Sequence, residues 1–119
     1  GDLAMPRLTI DNSVLFQPGS GNLAAGAQQE LQKVAKFVQD FTPSKLIIQG
    51  HTDSDGDAGA NLALSKLRAD NVRNLLIAQF QIAAGMIEAQ GFGETRPIAP
   101  NDTPENKLLN RRIEVLVWE

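Results

Sequence analysis

The apolar positions of this chain switch between two rhythms, and the switches predict its elements. Residues 8–10 and 13–16 read as short β-like runs separated by the turn-prone Asp11-Asn12. After the break at Pro18-Gly19-Ser20-Gly21, the residues Leu23, Ala27, Leu31, Val34, Val38 and Phe41 recur every three or four positions. That spacing predicts an amphipathic helix over about 22–40, ended by Thr42-Pro43. Residues 45–49, with Leu46-Ile47-Ile48, suit a buried strand. A polar, acidic loop follows, His51-Thr52-Asp53-Ser54-Asp55-Gly56-Asp57. A second helix is predicted from Ala58 or Ala60 to Phe80, with Leu64, Leu67, Val72, Leu75 and Leu76 in its stripe. Residues 87–90 form a third strand, closed by Gly91-Phe92-Gly93. Pro97, Pro100 and Pro104 make 94–109 mostly loop, with room for one helical turn. In residues 112–118, Ile113, Val115 and Val117 alternate on one side, which is the clearest strand signal of all.

The order β-α-β-α-β-(loop or short helix)-β implies an α/β two-layer sandwich, with helices packed on a mixed, mostly parallel sheet. At 119 residues the chain is expected to be one domain, 1–119, since it is too short to build two cores. No internal repeat and no low-complexity tract interrupts it.

Composition narrows the function classes. The net charge is −3 with acids and bases dispersed, which argues against nucleic acid as a partner. The absence of cysteine excludes disulfides, CxxC redox sites and thiolate zinc sites. No apolar run approaches the roughly 18–20 residues that a membrane span needs. The first seven residues have neither a basic start nor an apolar centre, so they do not read as a signal peptide. Any targeting segment or membrane anchor is expected outside this chain, and the opening Gly1-Asp2 fits a trimmed one.

The position that breaks the pattern is Arg68. At about 100° per residue it falls within the arc of Leu64, Val72 and Leu75, and Asn61 lies near the same line. A guanidinium on a buried face needs an anionic partner. In a strand-loop-helix unit, the acidic loop 53–57 sits beside the N-terminal half of the helix, and helical side chains lean that way. Asp53 and Arg68 then line one small site outside a strand end. Two readings stay open: a structural ion pair that pins the loop to the helix, or a site for a zwitterion.

Other chemistry is weaker. Asp53, Asp55 and Asp57 have the alternation of a calcium loop, but the sixth and twelfth positions hold Ala58 and Leu64 where Gly and Glu are required. Turn formation and charge at a helix start account for these acids, so no metal and no cofactor are expected. His51 is the sole histidine, and neither Ser54 nor Ser65 sits in a G-x-S-x-G elbow. Gly91-Phe92-Gly93 lacks the lysine and helix of a phosphate loop.

The motif His51-Thr52-Asp53-x-x-Gly56-x4-Asn61-x2-Leu64-Ser65-x2-Arg68-Ala69-x2-Val72 resembles the signature of the OmpA/MotB/Pal peptidoglycan-binding family. The likeness extends to Val14-Leu15-Phe16 with Gly19-Ser20, to Gly91-x-Gly93-Glu94-x2-Pro97-Ile98-x2-Asn101, and to Asn110-Arg111-Arg112-Ile113-Glu114-Val115. The resemblance implies a non-catalytic domain that binds the meso-diaminopimelate of uncrosslinked peptide stems. It places the chain in the periplasm of a Gram-negative bacterium, as the wall anchor of a longer protein, and allows a homodimer. It assigns the ammonium of diaminopimelate to Asp53 and the carboxylate to Arg68. Thr52, Ser54, Asp55, Gly56, Asn61, Leu64 and Asn110 are the accompanying contacts, with Asn61, Leu64 and Asn110 equally readable as cap, core or turn residues and backbone N–H groups of 54–57 as further donors. Where the family carries Gly-Arg-Ala, this chain has Asn106-Lys107-Leu108. Asn106 is then expected to take the positive φ of the glycine, and any contact of the arginine falls to Lys107. The reading from another class is a protein-interaction domain with a structural Asp53–Arg68 pair. A metal-dependent hydrolase acting on peptidoglycan through His51 and the acidic loop is the third.

Overall fold

The computed structural model describes residues 7–118, so the reading of Gly1 to Pro6 lies outside the described residues. The elements are β1 (Leu8–Asp11), α1 (Asn12–Leu15), α2 (Ala27–Phe41), β2 (Lys45–His51), α3 (Ala58–Phe80), a 3-10 turn (Ala84–Met86), β3 (Ile87–Gly93), α4 (Pro104–Asn110) and β4 (Arg112–Trp118). The sheet order is β1-β4-β2-β3. Only β2 and β3 run parallel; β4 is antiparallel to both β1 and β2. The α/β sandwich expected from the element order is present, but its sheet is mixed with one parallel pair in three rather than mostly parallel. The last strand enters the middle of the sheet instead of extending its edge, which no periodicity signals.

Leu46 and Ile48 of β2 and Ile113, Val115 and Val117 of β4 meet Leu31 and Val34 of α2 and Val72 and Leu76 of α3 in one core. The opposite sheet face carries Gln49, His51, Arg112 and Glu114, all buried. Residues 13–16, expected as a strand, lie largely in the single helical turn of α1. Asp11 caps that turn by accepting from the Ser13 N–H at 2.7 Å, and Phe16 N–H returns to the Asn12 carbonyl. A short polar side chain at a strand end redirects the backbone here. α2 starts at Ala27, later than expected, because Leu23 bridges Phe16 and the Ala24 N–H bonds the Leu15 carbonyl. Phe41 is 56% exposed, at the helix end beyond the core.

α3 approaches the sheet by its small residues. A Cβ on Gly50 would overlap the Ser65 carbonyl, and one on Gly91 would stand 2.5 Å from the Lys66 nitrogen. The buried face therefore runs Ser65, Arg68, Ala69, Val72, Leu76, and Leu67 is 48% exposed rather than in the stripe. α4 has two turns where one was allowed for. Thr103 caps it by accepting from the Asn106 N–H, and Pro104 opens it. Asn106 lies inside this helix, and its φ is not positive.

Candidate functional site

Between Gly50 and His51 the β2–β3 register shifts by one, with Phe92 the extra residue on β3, just before the acidic loop. Thr52 is buried there; its N–H bonds the Gly93 carbonyl and its hydroxyl donates to the Asp53 carbonyl at 2.8 Å. Asp53 is 6% exposed. Its Oδ1 accepts from the Asp55 N–H at 3.0 Å, closing a tight turn. Gly56, at φ +84, completes the reversal, and Asp57 caps α3 by accepting from the Ala60 N–H at 2.8 Å. Asn61, one turn into the helix, donates to the Asp55 carbonyl at 2.9 Å. The Ser54 N–H donates to Asn101 Oδ1 at 3.3 Å. The backbone donors of Ser54 and Asp55 are thus already engaged inside the protein.

The expected Asp53–Arg68 pair does not form. Asp53 Oδ2 accepts from Arg111 Nη1 at 2.7 Å, and Lys107 Nζ lies 3.1 Å from Asp55 Oδ1. Both cations come from α4 and its C-cap, so the acidic loop is clasped from that side. Arg68 points instead toward the loop after α1. Its Nε donates to the Ser20 carbonyl at 2.8 Å, and its guanidinium stands 5.0 Å from the Phe16 ring centre. The side chain rests in a cleft of about 300 Å³ that Asn12, Phe16, Pro18, Leu108 and Arg111 also line. Arg68 is 8% exposed and has no carboxylate partner among the described residues. Burial pushes its guanidinium below the usual value. Arg68 and Arg111 therefore present two cations to one cleft, with an apolar wall between them.

The remaining nominated residues divide. Ser54, Asp55 and Gly56 are exposed on the loop, and Leu64 is half-buried on α3. Asn110 corrects the expectation of a ligand contact, because it is 0% exposed. Its Oδ1 accepts from the N–H groups of Ile98 and Ala99, while its amide donates to the Ala99 carbonyl and to Asn101 Oδ1. It holds the 98–101 loop, and through Asn101 it steadies Ser54. Arg111 is the site residue that sequence reasoning left without a role, although it stood in the closing Asn-Arg-Arg motif. Asn12 is the other. It is buried beside the cleft, donates to the His51 carbonyl at 3.2 Å, and its Oδ1 has no partner among the described residues.

His51 stands apart from this cleft. Its Nε2 lies 3.2 Å from Glu114 and its ring stacks on Phe92 at 5.4 Å. Among the described residues no three His, Asp or Glu side chains come together around a metal position. The Ser65 hydroxyl donates to the Leu62 carbonyl and accepts from the Gly93 N–H, so no histidine addresses it. What the cleft offers chemically is a pair of guanidiniums and the Asp11 carboxylate beside the apolar side chains of Phe16, Pro18 and Leu108, with Asp53 behind Arg111.

Comparison with known proteins places this arrangement. The model of the OmpA family matches residues 15–111. Outer membrane porin F of Pseudomonas aeruginosa is 33% identical over 93% of this chain and 31% of its own length. The peptidoglycan-binding protein ArfA of Mycobacterium bovis is 34% identical over 87% of this chain and 32% of its own length. The solved cell wall anchor of the T6SS from Pseudomonas aeruginosa superposes with a TM-score of 0.85 at 30% identity, covering 94% of this chain and 80% of that one. The chain spans at most about half of the length of the curated relatives it matches, and about a third of porin F and ArfA. With the family model matched over most of its length and a four-stranded mixed sheet that superposes on solved relatives, the chain belongs to the OmpA family.

Proposed function

We propose that this chain is a non-catalytic cell-wall anchor that binds peptidoglycan through the meso-diaminopimelate of its peptide stems. The observation that carries this is Arg68, a buried guanidinium without a carboxylate partner that opens on a cleft. Such a group is costly to bury alone, and a ligand carboxylate repairs the deficit. Its planar fork suits a carboxylate bidentately. Diaminopimelate carries an ammonium and a carboxylate on one terminal carbon. The carboxylate meets Arg68, the methylenes lie on Phe16 and Leu108, and the ammonium competes with Arg111 for Asp53. Relatives whose names carry peptidoglycan binding or wall anchoring support the same reading, and so does their place in the bacterial envelope. The chain then works in the periplasm of a Gram-negative bacterium, tied to a membrane through segments beyond it. One small site binds weakly, and many stems on a polymer supply avidity.

The test is co-sedimentation with purified sacculi. Wild type is expected to pellet with diaminopimelate-type sacculi, and Arg68→Ala and Asp53→Ala, checked for folding, to stay in solution. Lysine-type sacculi lack the terminal carboxylate and leave Arg68 unsatisfied, which costs roughly 1–3 kcal/mol, or about a ten- to hundred-fold loss. Equal binding to both sacculus types refutes the diaminopimelate contact. If wild type does not pellet at all, the anchor reading fails and partner docking replaces it.

A further inference from the structure

The sheet face opposite the helices holds a second cleft, of about 240 Å³, that shares no residue with the first. Arg7, Arg96 and Arg112 line it together with Gln49, His51 and Glu114. Three guanidiniums thus surround a single carboxylate. Glu114 is fully engaged: Oε1 accepts from Arg7 at 3.2 Å, and Oε2 faces Arg112 at 3.3 Å and His51 at 3.2 Å. Arg112 is buried, and its Nε has no acceptor among the described residues. Arg96 is held at the rim, 3.8 Å above the Phe92 ring, with no ion pair among the described residues. Pro97, Ile98 and Leu116 supply an apolar wall beside these charges. His51 stays neutral between them, so it adds no charge at neutral pH.

We propose that this cleft is a second binding site, for a carboxylate carried on a small apolar group. The surplus of two positive charges favours one anion, and partial withdrawal from water strengthens that attraction. Arg96 and Arg7 face the incoming carboxylate, while Arg112 and Glu114 fix the floor. The apolar wall selects an alkyl-bearing acid over a bare inorganic ion. The site is independent of the proposed wall contact, because Arg68, Asp53 and Arg111 take no part in it.

The sole histidine reports on this cleft directly. N-acetylalanine is titrated into the full chain while the His51 ring resonances are followed by NMR, with sodium chloride at equal ionic strength and N-acetylalaninamide as controls. The carboxylate is expected to shift the ring saturably, and the amide and chloride are not. Arg96→Gln, an exposed change that leaves the core intact, is expected to weaken the response about five-fold; Arg68→Ala leaves it unchanged. An amide as effective as the acid, a shift that never saturates, or an undiminished response in Arg96→Gln overturns the proposal. A loss in Arg68→Ala as large as that in Arg96→Gln overturns the separateness of the two clefts.

Discussion

Alanine at Gly50 is expected to lower the unfolding free energy by about 3 kcal/mol, the upper end of what overpacking a core costs. The added methyl falls on the backbone carbonyl of Ser65, which no rotamer change can move away. Either β2 bends or α3 lifts from the sheet, and both carry the site with them. Ser65 lies one turn from both Asn61 and Arg68, and Gly50 lies three residues before Asp53. The variant should therefore lose sacculus binding along with stability. Gly26 is the control, since a Cβ there meets nothing within 4 Å and its φ of −84 suits any residue. Gly26→Ala should cost no more than about 1 kcal/mol, the modest loss expected when alanine replaces a glycine at a helix N-cap. Urea denaturation of the three proteins decides the matter. A Gly50→Ala loss below about 1 kcal/mol would mean that the helix slides on the sheet without penalty, and that close approach does not position Arg68.

The sequence told the elements well because each leaves a local mark. β4 alternates Ile113, Val115 and Val117; α3 opens at an Asp57 cap after a glycine turn; Thr42-Pro43 stops α2. The misreadings arise where a neighbour distant in sequence decides. Nothing within residues 112–118 says that the strand inserts between β1 and β2, so the sheet looked more parallel than it is. Leu67 looked like core until two glycines drew Ser65 and Lys66 against the sheet and rotated the buried face. The same limit shaped the site. Helical spacing singled out Arg68 as a buried cation, and that held. The partner of Asp53 could not be read, because Arg111 is 58 residues away and reaches it only through the packing of α4. With Asp53 held by Arg111, the Asp53–Arg68 pair is absent, and Arg68 has no carboxylate partner among the described residues.

Acid should destabilise this protein earlier than its carboxylates alone would require, through His51. The ring is almost fully buried, and that burial, with Arg112 beside it and Arg96 and Arg7 nearby, holds its pKa at about 4 against an ordinary 6.5. Glu114 pulls the other way, but its charge is shared with Arg7 and Arg112. Between those two pH values the unfolded chain binds a proton that the folded chain refuses. Stability is then complete above pH 6.5 and falls as pH drops toward 4, by about 3 kcal/mol in all. His51→Gln keeps a polar group opposite Glu114 and removes the titration. Over that window its stability should fall less steeply than wild type, by up to about 1.4 kcal/mol per pH unit. Denaturation of both proteins at pH 7.5, 6 and 5 gives the two slopes, and the NMR titration of the ring gives the midpoint independently. Parallel slopes with a midpoint near 6.5 would place water around the imidazole and remove the basis for a buried, cation-rich cluster on this face. A midpoint near 4 with diverging slopes makes the neutral ring a requirement of the folded state, because a protonated one would add a fourth positive charge around Glu114.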